Sequence, residues 1–449
     1  MTRNIVKTVV VLGVSYGGSR AARLLATSLP PGWRVVAIDR NSHLNHLYTF
    51  PRFTILPQHA AKGFIPYDNL FNPPAPSKTS PADSLPTPPL TPHASLEKLS
   101  EKENPHLFIQ GNVVSLHPHH LILKRPGVDT PERIDFDYAV YALGGGMPDP
   151  VNVWSSGARG KRAGMKWMAA QAEQYKLAKR ILVVGGGALG IQYASDLKEV
   201  YPEKEITLLH SRERLLPIYP IEMHLAVIAG LHKLGVNVVL GERVMSWPEN
   251  PQIVDGHTKK LHTDKGREFE ADLVLVCTGS KPHSALMATL SPTSISPTTQ
   301  RILVRPTLQV AHGPSLSQTI ESLSALNVNQ SPPSPAISTT SLSSADADEH
   351  DLSHIFAIGD CAETGEIQAG RSAWLQAATA ASNIVKLIGK RKDLEDHVVA
   401  APAIKVSLGL KHLALSGPAG TKTSDDGAED VGALGLWPLT QAETLDVNT

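Results

Sequence analysis

Two glycine-rich turns in this sequence have the residue types and spacing of anion cradles. The first, Gly13-Val14-Ser15-Tyr16-Gly17-Gly18, follows the apolar run Thr8 to Leu12. Small residues are needed there for three reasons. Gly13 permits a sharp turn, the second small position lets a pyrophosphate approach the backbone, and Gly18 lets the next helix pack close to the strand. Ser15 replaces the usual second glycine. It is small enough to be tolerated, and its hydroxyl can donate to a phosphate oxygen. The phosphates then lie at a helix N-terminus, where unpaired N–H groups and the helix dipole favour anions. Asp39 ends the next apolar run, about 20 residues past Gly18, where a carboxylate accepts from both ribose hydroxyls.

The second turn, Gly185-Gly186-Gly187-Ala188-Leu189-Gly190, follows the run Arg180-Ile-Leu-Val-Val and matches the full dinucleotide fingerprint through Gly185, Gly187 and Gly190. The strand after it ends in His210-Ser211-Arg212, where NAD sites usually carry Asp or Glu. No carboxylate stands there to repel a 2′-phosphate. Arg212, and His210 with partial positive charge, are candidates to bind one. A third motif closes the set. Ile355-Phe-Ala-Ile is an apolar run ending in Gly359-Asp360, where a carboxylate can accept from the ribityl hydroxyls of a flavin.

These residues need a particular scaffold. Residues 8–39 and 180–212 both read strand, glycine turn, helix, strand, with helices predicted over 19–27 and from 190 to about 200. A further helix is predicted over 371–388. Continuous apolar runs of four or five residues fit strands buried on both faces of a parallel sheet. FAD is long, so its site needs a strand from far along the chain to close over the flavin half. The expected fold class is therefore α/β, with two Rossmann-like dinucleotide-binding domains. An FAD domain over 1–160 resumes at 286–395, an NAD(P)H domain is inserted at 161–285, and a short C-terminal region occupies 396–449. Residues 72–93 hold 8 prolines, which excludes a helix or central strand there, and 331–345 hold 11 Ser, Thr or Pro. Both read as insertions within one architecture, at about 72–93 and 313–349.

Composition narrows the function classes. Lys+Arg and Asp+Glu are both 42, so the formal charge is zero, which argues against a protein that coats nucleic acid. No run of 18 apolar residues occurs, so no transmembrane helix is expected; peripheral membrane contact stays open. The glycine turn comes too early to leave room for a cleaved leader, and Thr2 excludes N-myristoylation. Only Cys277 and Cys361 occur, and they form no CxxC pair, which excludes the usual redox dithiol and a cysteine zinc site. Two cysteines in 449 residues fit a reducing compartment, so a cytoplasmic location is expected. His117, His119 and His120 form the densest histidine group; they lie beside Pro118 and read as a solvated turn rather than a metal site.

Together, the two glycine units, the Leu273-Val-Leu-Val-Cys277-Thr278-Gly279 segment and Ala357-Ile-Gly-Asp360 resemble the two-dinucleotide-binding-domain flavoproteins. The likeness is greatest to apoptosis-inducing-factor-like and ferroptosis-suppressor-like NAD(P)H:quinone oxidoreductases. Asn41 to Arg52 and Leu209 to Arg212 look like the fungal members. The resemblance covers about residues 5–415 apart from the insertions. It implies that Gly13, Ser15, Gly17, Gly18 and Asp39 hold the adenosine half of FAD, and that Gly359 and Asp360 hold the ribityl chain. It implies that His46 to Arg52 pass near the isoalloxazine, with Phe50-Pro51 lining it and Arg52 among the cofactor contacts. Gly185, Gly187 and Gly190 would hold the NADPH or NADH pyrophosphate, and Thr278-Gly279 the crossover between domains. Three departures stand out. Gln192 occupies the place of a frequent Glu. The tail after about 396 lacks the amphipathic helices of type II NADH dehydrogenases. Gly144-Gly145-Gly146 is an unusual first crossover.

The implied activity is hydride transfer from NAD(P)H through FAD to a small acceptor such as a quinone, with no obligatory protein acid or base. Two other readings fit the same residues: a flavin-dependent oxidase or tailoring enzyme of secondary metabolism, and a slowly turning redox-sensing interaction protein.

Overall fold

The apolar run after the N-terminus becomes the strand Lys7–Leu12, in the middle of a five-stranded parallel sheet. The sheet order is Ile355–Ala357, Tyr138–Tyr141, Lys7–Leu12, Trp33–Asp39, Leu107–Gln110. Val9 to Leu12 and Val35 to Ala37 are fully buried, as strands covered on both faces require. The computed structural model describes residues 6–71, 105–157, 159–313 and 351–442. The insertions expected at 72–93 and 313–349 lie outside the described residues, apart from Gly313.

The helix after the first glycine turn runs Tyr16–Ser28 and takes in Gly17 and Gly18, three residues earlier than the start expected at 19. Packing explains this. A side chain at Gly17 would come within 2.8 Å of the backbone oxygen of Ala373 on the helix Gly370–Ile388. The two helices lie on one another, and only a residue without Cβ allows that approach.

The second glycine turn sits in a four-stranded parallel sheet of order Asn237–Leu240, Glu205–His210, Arg180–Val184, Leu273–Val276. Its helix is Ala188–Val200. Each fingerprint thus opens a strand–turn–helix–strand unit, which gives the α/β class with a repeated dinucleotide-binding architecture.

The chain divides into two compact units, one of Met1–Asp39, Pro105–Gly145 and Pro282–Val399, the other of Arg40–Asn104, Gly146–Lys281 and Ala400–Thr449. The chain therefore changes unit at Asp39, earlier than residue 160. The reason lies in packing within the second unit: Arg52 pairs with Asp196, and Gly164 leaves room for the Phe64 ring. After the return to the first unit at Pro105, the triple glycine marks the change back to the second, between Gly145 and Gly146. Gly144 takes φ +64°, a left-handed conformation that favours glycine. The C-terminal region is built of strands. It forms the antiparallel strands Ile404–Ser407, Leu413–Gly417 and Gly420–Ser424, then a 3₁₀ stretch Ala433–Thr440 with Trp437 fully buried.

Candidate dinucleotide sites

In the first unit, Gly13 has φ +86°, and a Cβ there would lie 2.5 Å from the Ala142 oxygen. A Cβ on Gly18 would overlap the Gly13 oxygen. These two glycines are demanded by the fold itself. Ser15 is the N-cap residue of the helix Tyr16–Ser28, yet its side chain makes no capping bond, and no acidic residue occupies the first turn. Asp39 Oδ2 accepts the Val14 N–H at 2.8 Å, which brings the carboxylate against the turn. Asp360 lies in the tight turn Gly359–Cys361, after Gly359 at φ +77°. Burial pushes its carboxyl above the usual range, and the nearby Arg301 partly offsets this. A desolvated carboxylate of this kind gains from hydroxyl donors. The helix N-terminus without an acid, the hydroxyl of Ser15 and two carboxylates at strand ends fit the diphosphate and polyol parts of FAD.

In the second unit the three fingerprint glycines divide by purpose. Gly185 (φ +127°) would place a Cβ 2.8 Å from the Cys277 oxygen, and one on Gly190 would overlap the Gly185 oxygen. A Cβ on Gly187 meets nothing within 4 Å, and its φ is an ordinary −85°. The fold does not need glycine at 187, and the space over its backbone is open. Again no acid stands in the first helical turn. Arg212 is exposed, as are Thr278 and Gly279.

His210 departs from its expected part. Its ring lies under the turn, and its Nδ1 accepts the Gly186 N–H at 3.1 Å. Burial, with a smaller contribution from Arg212, lowers its pKa, so the ring is neutral at pH 7. It shapes the turn and adds no positive charge.

Arg52 is likewise occupied. Its guanidinium is fully buried, donates to both Asp196 oxygens at 2.7 and 2.9 Å, and donates to the Gly409, Leu410 and Glu429 carbonyls. No donor is left for a cofactor, so the contact expected of Arg52 gives way to a structural role: it ties the C-terminal strands to the second sheet's helix. Burial pushes Asp196 upward while Arg52 and Gln192 pull it back down. The Gln192 Nε2 itself is buried without a hydrogen-bond partner. Phe50 and Pro51 are buried, with Phe50 against the Phe64 and Trp167 rings, whereas Tyr48 is exposed.

Pro118 and His119 form the turn between strands Asn112–His117 and His120–Lys124. His117 stacks on His120 at 4.2 Å and His119 on His354 at 4.3 Å. Parallel stacking does not converge ring nitrogens on one point. Both thiols are desolvated. Burial pushes Cys361 up to about 12, and it raises Cys277 as well, although that residue is partly accessible. Sequence reasoning missed Gln376, a fully buried amide on the Ala-rich face of the helix Gly370–Ile388, whose oxygen accepts the Gly359 N–H at 2.7 Å. The signal was available: a glutamine in an apolar stripe is there for its hydrogen bonds.

Comparison with known proteins bears on this geometry. The family described as pyridine nucleotide-disulphide oxidoreductase matches residues 7–312. Fe-regulated protein 8 of Mycosarcoma maydis is 33% identical over 98% of this chain and 96% of its own length. Ferroptosis suppressor protein 1 of Mus musculus is 26% identical over 89% of this chain and 86% of its own. A solved sulfide:quinone oxidoreductase from Aquifex aeolicus superposes with a TM-score of 0.64 at 13% identity, over 97% of this chain and 91% of that one. That last likeness is one of fold.

Proposed function

The chain belongs to the pyridine nucleotide-disulphide oxidoreductase family and is an FAD-dependent NAD(P)H oxidoreductase; from that premise we propose that its electrons leave to a small quinone and not to a disulfide. FAD, when bound, supplies the redox chemistry, accepting hydride from the nicotinamide and giving two electrons to the acceptor. The chain's own residues bind and orient. Val14 to Gly18 receive the FAD diphosphate, Asp39 the ribose hydroxyls and Asp360 the ribityl hydroxyls. Gly187 admits the NAD(P)H pyrophosphate, and Arg212 pairs with the 2′-phosphate of NADPH.

The observation that carries the acceptor is the thiol inventory. Relaying electrons to a disulfide takes an accessible thiolate pair. This chain offers two separate cysteines, with Cys361 fully buried and both thiols held protonated. The lack of a dithiol supports an exit of the electrons to a small oxidant. No helix among the described residues is long and apolar enough to cross a membrane, so a water-soluble short-chain quinone is the appropriate probe. The purified holoprotein is reduced anaerobically with NADPH, then mixed with the quinone, an aryl disulfide or oxygen. Fast reoxidation by the quinone is expected. Preferential reoxidation by the disulfide would overturn the proposal. Reoxidation by oxygen alone, with peroxide release, would instead make the protein an oxidase.

A further inference from the structure

The first unit contains a buried polar chain that ends on the turn carrying Asp360. Gln376 is 1% exposed, and its Oε1 accepts the Gly359 N–H at 2.7 Å. Its Nε2 donates to Glu366 Oε2 at 2.5 Å and to Thr364 Oγ1 at 3.1 Å. The amide orientation is unambiguous, because a backbone N–H must meet the oxygen and a carboxylate must meet the nitrogen. Glu366 Oε2 in turn faces His397 Nε2 at 3.0 Å, with both side chains at most 5% exposed. Only a protonated Nε2 can donate to that carboxylate. The other ring nitrogen of His397 lies 3.4 Å from Thr379 Oγ1, and its backbone N–H donates to the Pro306 oxygen at 2.8 Å. The segment bearing His397 is also held by Asn383. Its side chain donates to the Thr307 and Glu395 carbonyls and accepts the Glu395 N–H at 2.7 Å.

Burying an acid, an imidazole and an amide together is costly unless each partner is met, and here each is. An apolar residue at 376 would match the Ala-rich face of the helix but would leave the Gly359 N–H without its acceptor. What the chain does achieve is a fixed donor direction for Gly359, whose φ of +77° aims the next residue, Asp360.

We propose that His397, Glu366 and Gln376 form a positioning relay, in which His397 orients Glu366, Glu366 orients Gln376, and Gln376 sets the Gly359–Asp360 turn that receives the ribityl hydroxyls of FAD. None of the three touches the reacting atoms. The inference rests on the reading of Asp360 as a flavin contact, and the experiment separates the two.

Holoprotein is prepared for the wild type and for His397→Leu, His397→Gln, Glu366→Gln, Gln376→Leu and Asp360→Asn. Three quantities are followed: FAD release on dilution, by fluorescence; the visible circular dichroism of bound flavin; and the melting temperature of the FAD-free protein. His397→Leu and Gln376→Leu are expected to release FAD roughly tenfold faster, the effect of a lost charged hydrogen bond. The flavin dichroism should change with it. His397→Gln keeps a donor toward Glu366 and should return within about threefold of the wild type. If the His397 variants do not fold, the near-isosteric Glu366→Gln, with its charge removed, carries the same expectation as Gln376→Leu. Wild-type release rates in folded His397→Leu and Gln376→Leu, with Asp360→Asn still faster, would overturn the relay alone. Equal impairment of His397→Leu and His397→Gln would also overturn it, since ring packing and not the donor would then matter. Unchanged release from Asp360→Asn would overturn the placement of Asp360, and the relay's purpose with it.

Discussion

Nδ1 of His210 accepts the backbone N–H of Gly186 at 3.1 Å, so the strand end reaches back and braces the second glycine turn from below. An accepting Nδ1 carries no proton. A Cβ on Gly186 would come within 2.6 Å of the same ring. The imidazole is therefore part of the cradle's floor, and the exposed Arg212 remains as the cation proposed to meet a 2′-phosphate.

Cofactor choice follows from that division. Arg212→Ala should weaken NADPH by about 1.5–3 kcal/mol, the usual worth of a charged hydrogen bond, and leave NADH nearly unchanged. The effect should shrink with salt, because Arg212 is exposed. The check is kcat/KM for both cofactors in both proteins. An equal loss for NADH and NADPH would mean that Arg212 supports the adenine or the fold.

Gly187 and Gly190 should behave oppositely. Gly187→Val places its side chain in open space at an ordinary φ, so the melting temperature should hardly move. The flavin should stay bound, but NADPH should no longer reduce it under anaerobic conditions. Gly190→Ala pushes a methyl into the Gly185 oxygen and should destabilise the second unit outright. NADPH bleaching of Gly187→Val at the wild-type rate would remove the second fingerprint from the nicotinamide site.

The glycine positions were legible because each does something only glycine can do, and the βαβ pattern around them reports the same thing. What the sequence could not convey is direction and distance. The alternation along a strand does not say whether the His210 ring turns under the loop or toward a ligand. Nothing local in Phe50-Pro-Arg-Phe announces that Arg52 finds Asp196, 144 residues away. That pairing, with Phe64 packed at Gly164, joins the stretch after Asp39 to the second unit. The C-terminal strands did leave a trace, the alternation Ile404-Lys-Val-Ser and Leu413-Ala-Leu-Ser. The Gly, Ser and Asp of their turns outweighed it.

Arg52 should therefore be a stability residue. Arg52→Met leaves the Asp196 carboxylate buried without its partner and three carbonyls without a donor, at a cost of about 3–5 kcal/mol. Urea unfolding measures the loss, and the flavin content of the folded fraction should equal that of the wild type. A stable Arg52→Met that lost FAD would restore the cofactor contact.

Acid should unfold the second unit early. Burial lowers both His43 and His46 to about 4, with Lys161 adding to the effect at His43. The unfolded value is near 6.5. Above 6.5 both states are neutral and the stability is complete. Between 6.5 and 4 the unfolded chain binds protons that the native one refuses, so stability falls with pH. The slope is about 1.4 kcal/mol per pH unit for each histidine, and it flattens below 4. Urea midpoints at pH 7.5, 6 and 5 test this, and His46→Asn should flatten the slope. Because the raised Asp196 carboxyl gives an opposite slope below about 6, the deciding comparison is with His46→Asn: an unchanged slope in that variant would show that the native state accepts the proton at His46.

Thiol chemistry gives the last test, because it bears directly on where the electrons go. Cys361 is fully buried, its thiol is pushed up to about 12, and Cys277 is raised in the same way by loss of solvent. A thiol attacks as its thiolate, and a pKa four or more units above neutrality leaves at most about one part in ten thousand ionised. Native protein should therefore react with an aryl disulfide reagent at Cys361 only as it unfolds, and at Cys277 far more slowly than a free thiol does. Replacement of both cysteines by serine should leave NADPH oxidation with a quinone within about twofold of the wild type, because neither thiol is ionised to take part. Serine is the more polar residue, but the Ile358 carbonyl that Cys361 Sγ meets at 3.3 Å can accept its hydroxyl, so Cys361→Ser should cost less than the roughly 1–3 kcal/mol of an unpaired buried hydroxyl; the rates are to be compared at a temperature where both proteins are folded. Loss of quinone turnover in the double variant, with FAD retained and the flavin still reduced by NADPH, would place a cysteine on the path from flavin to acceptor.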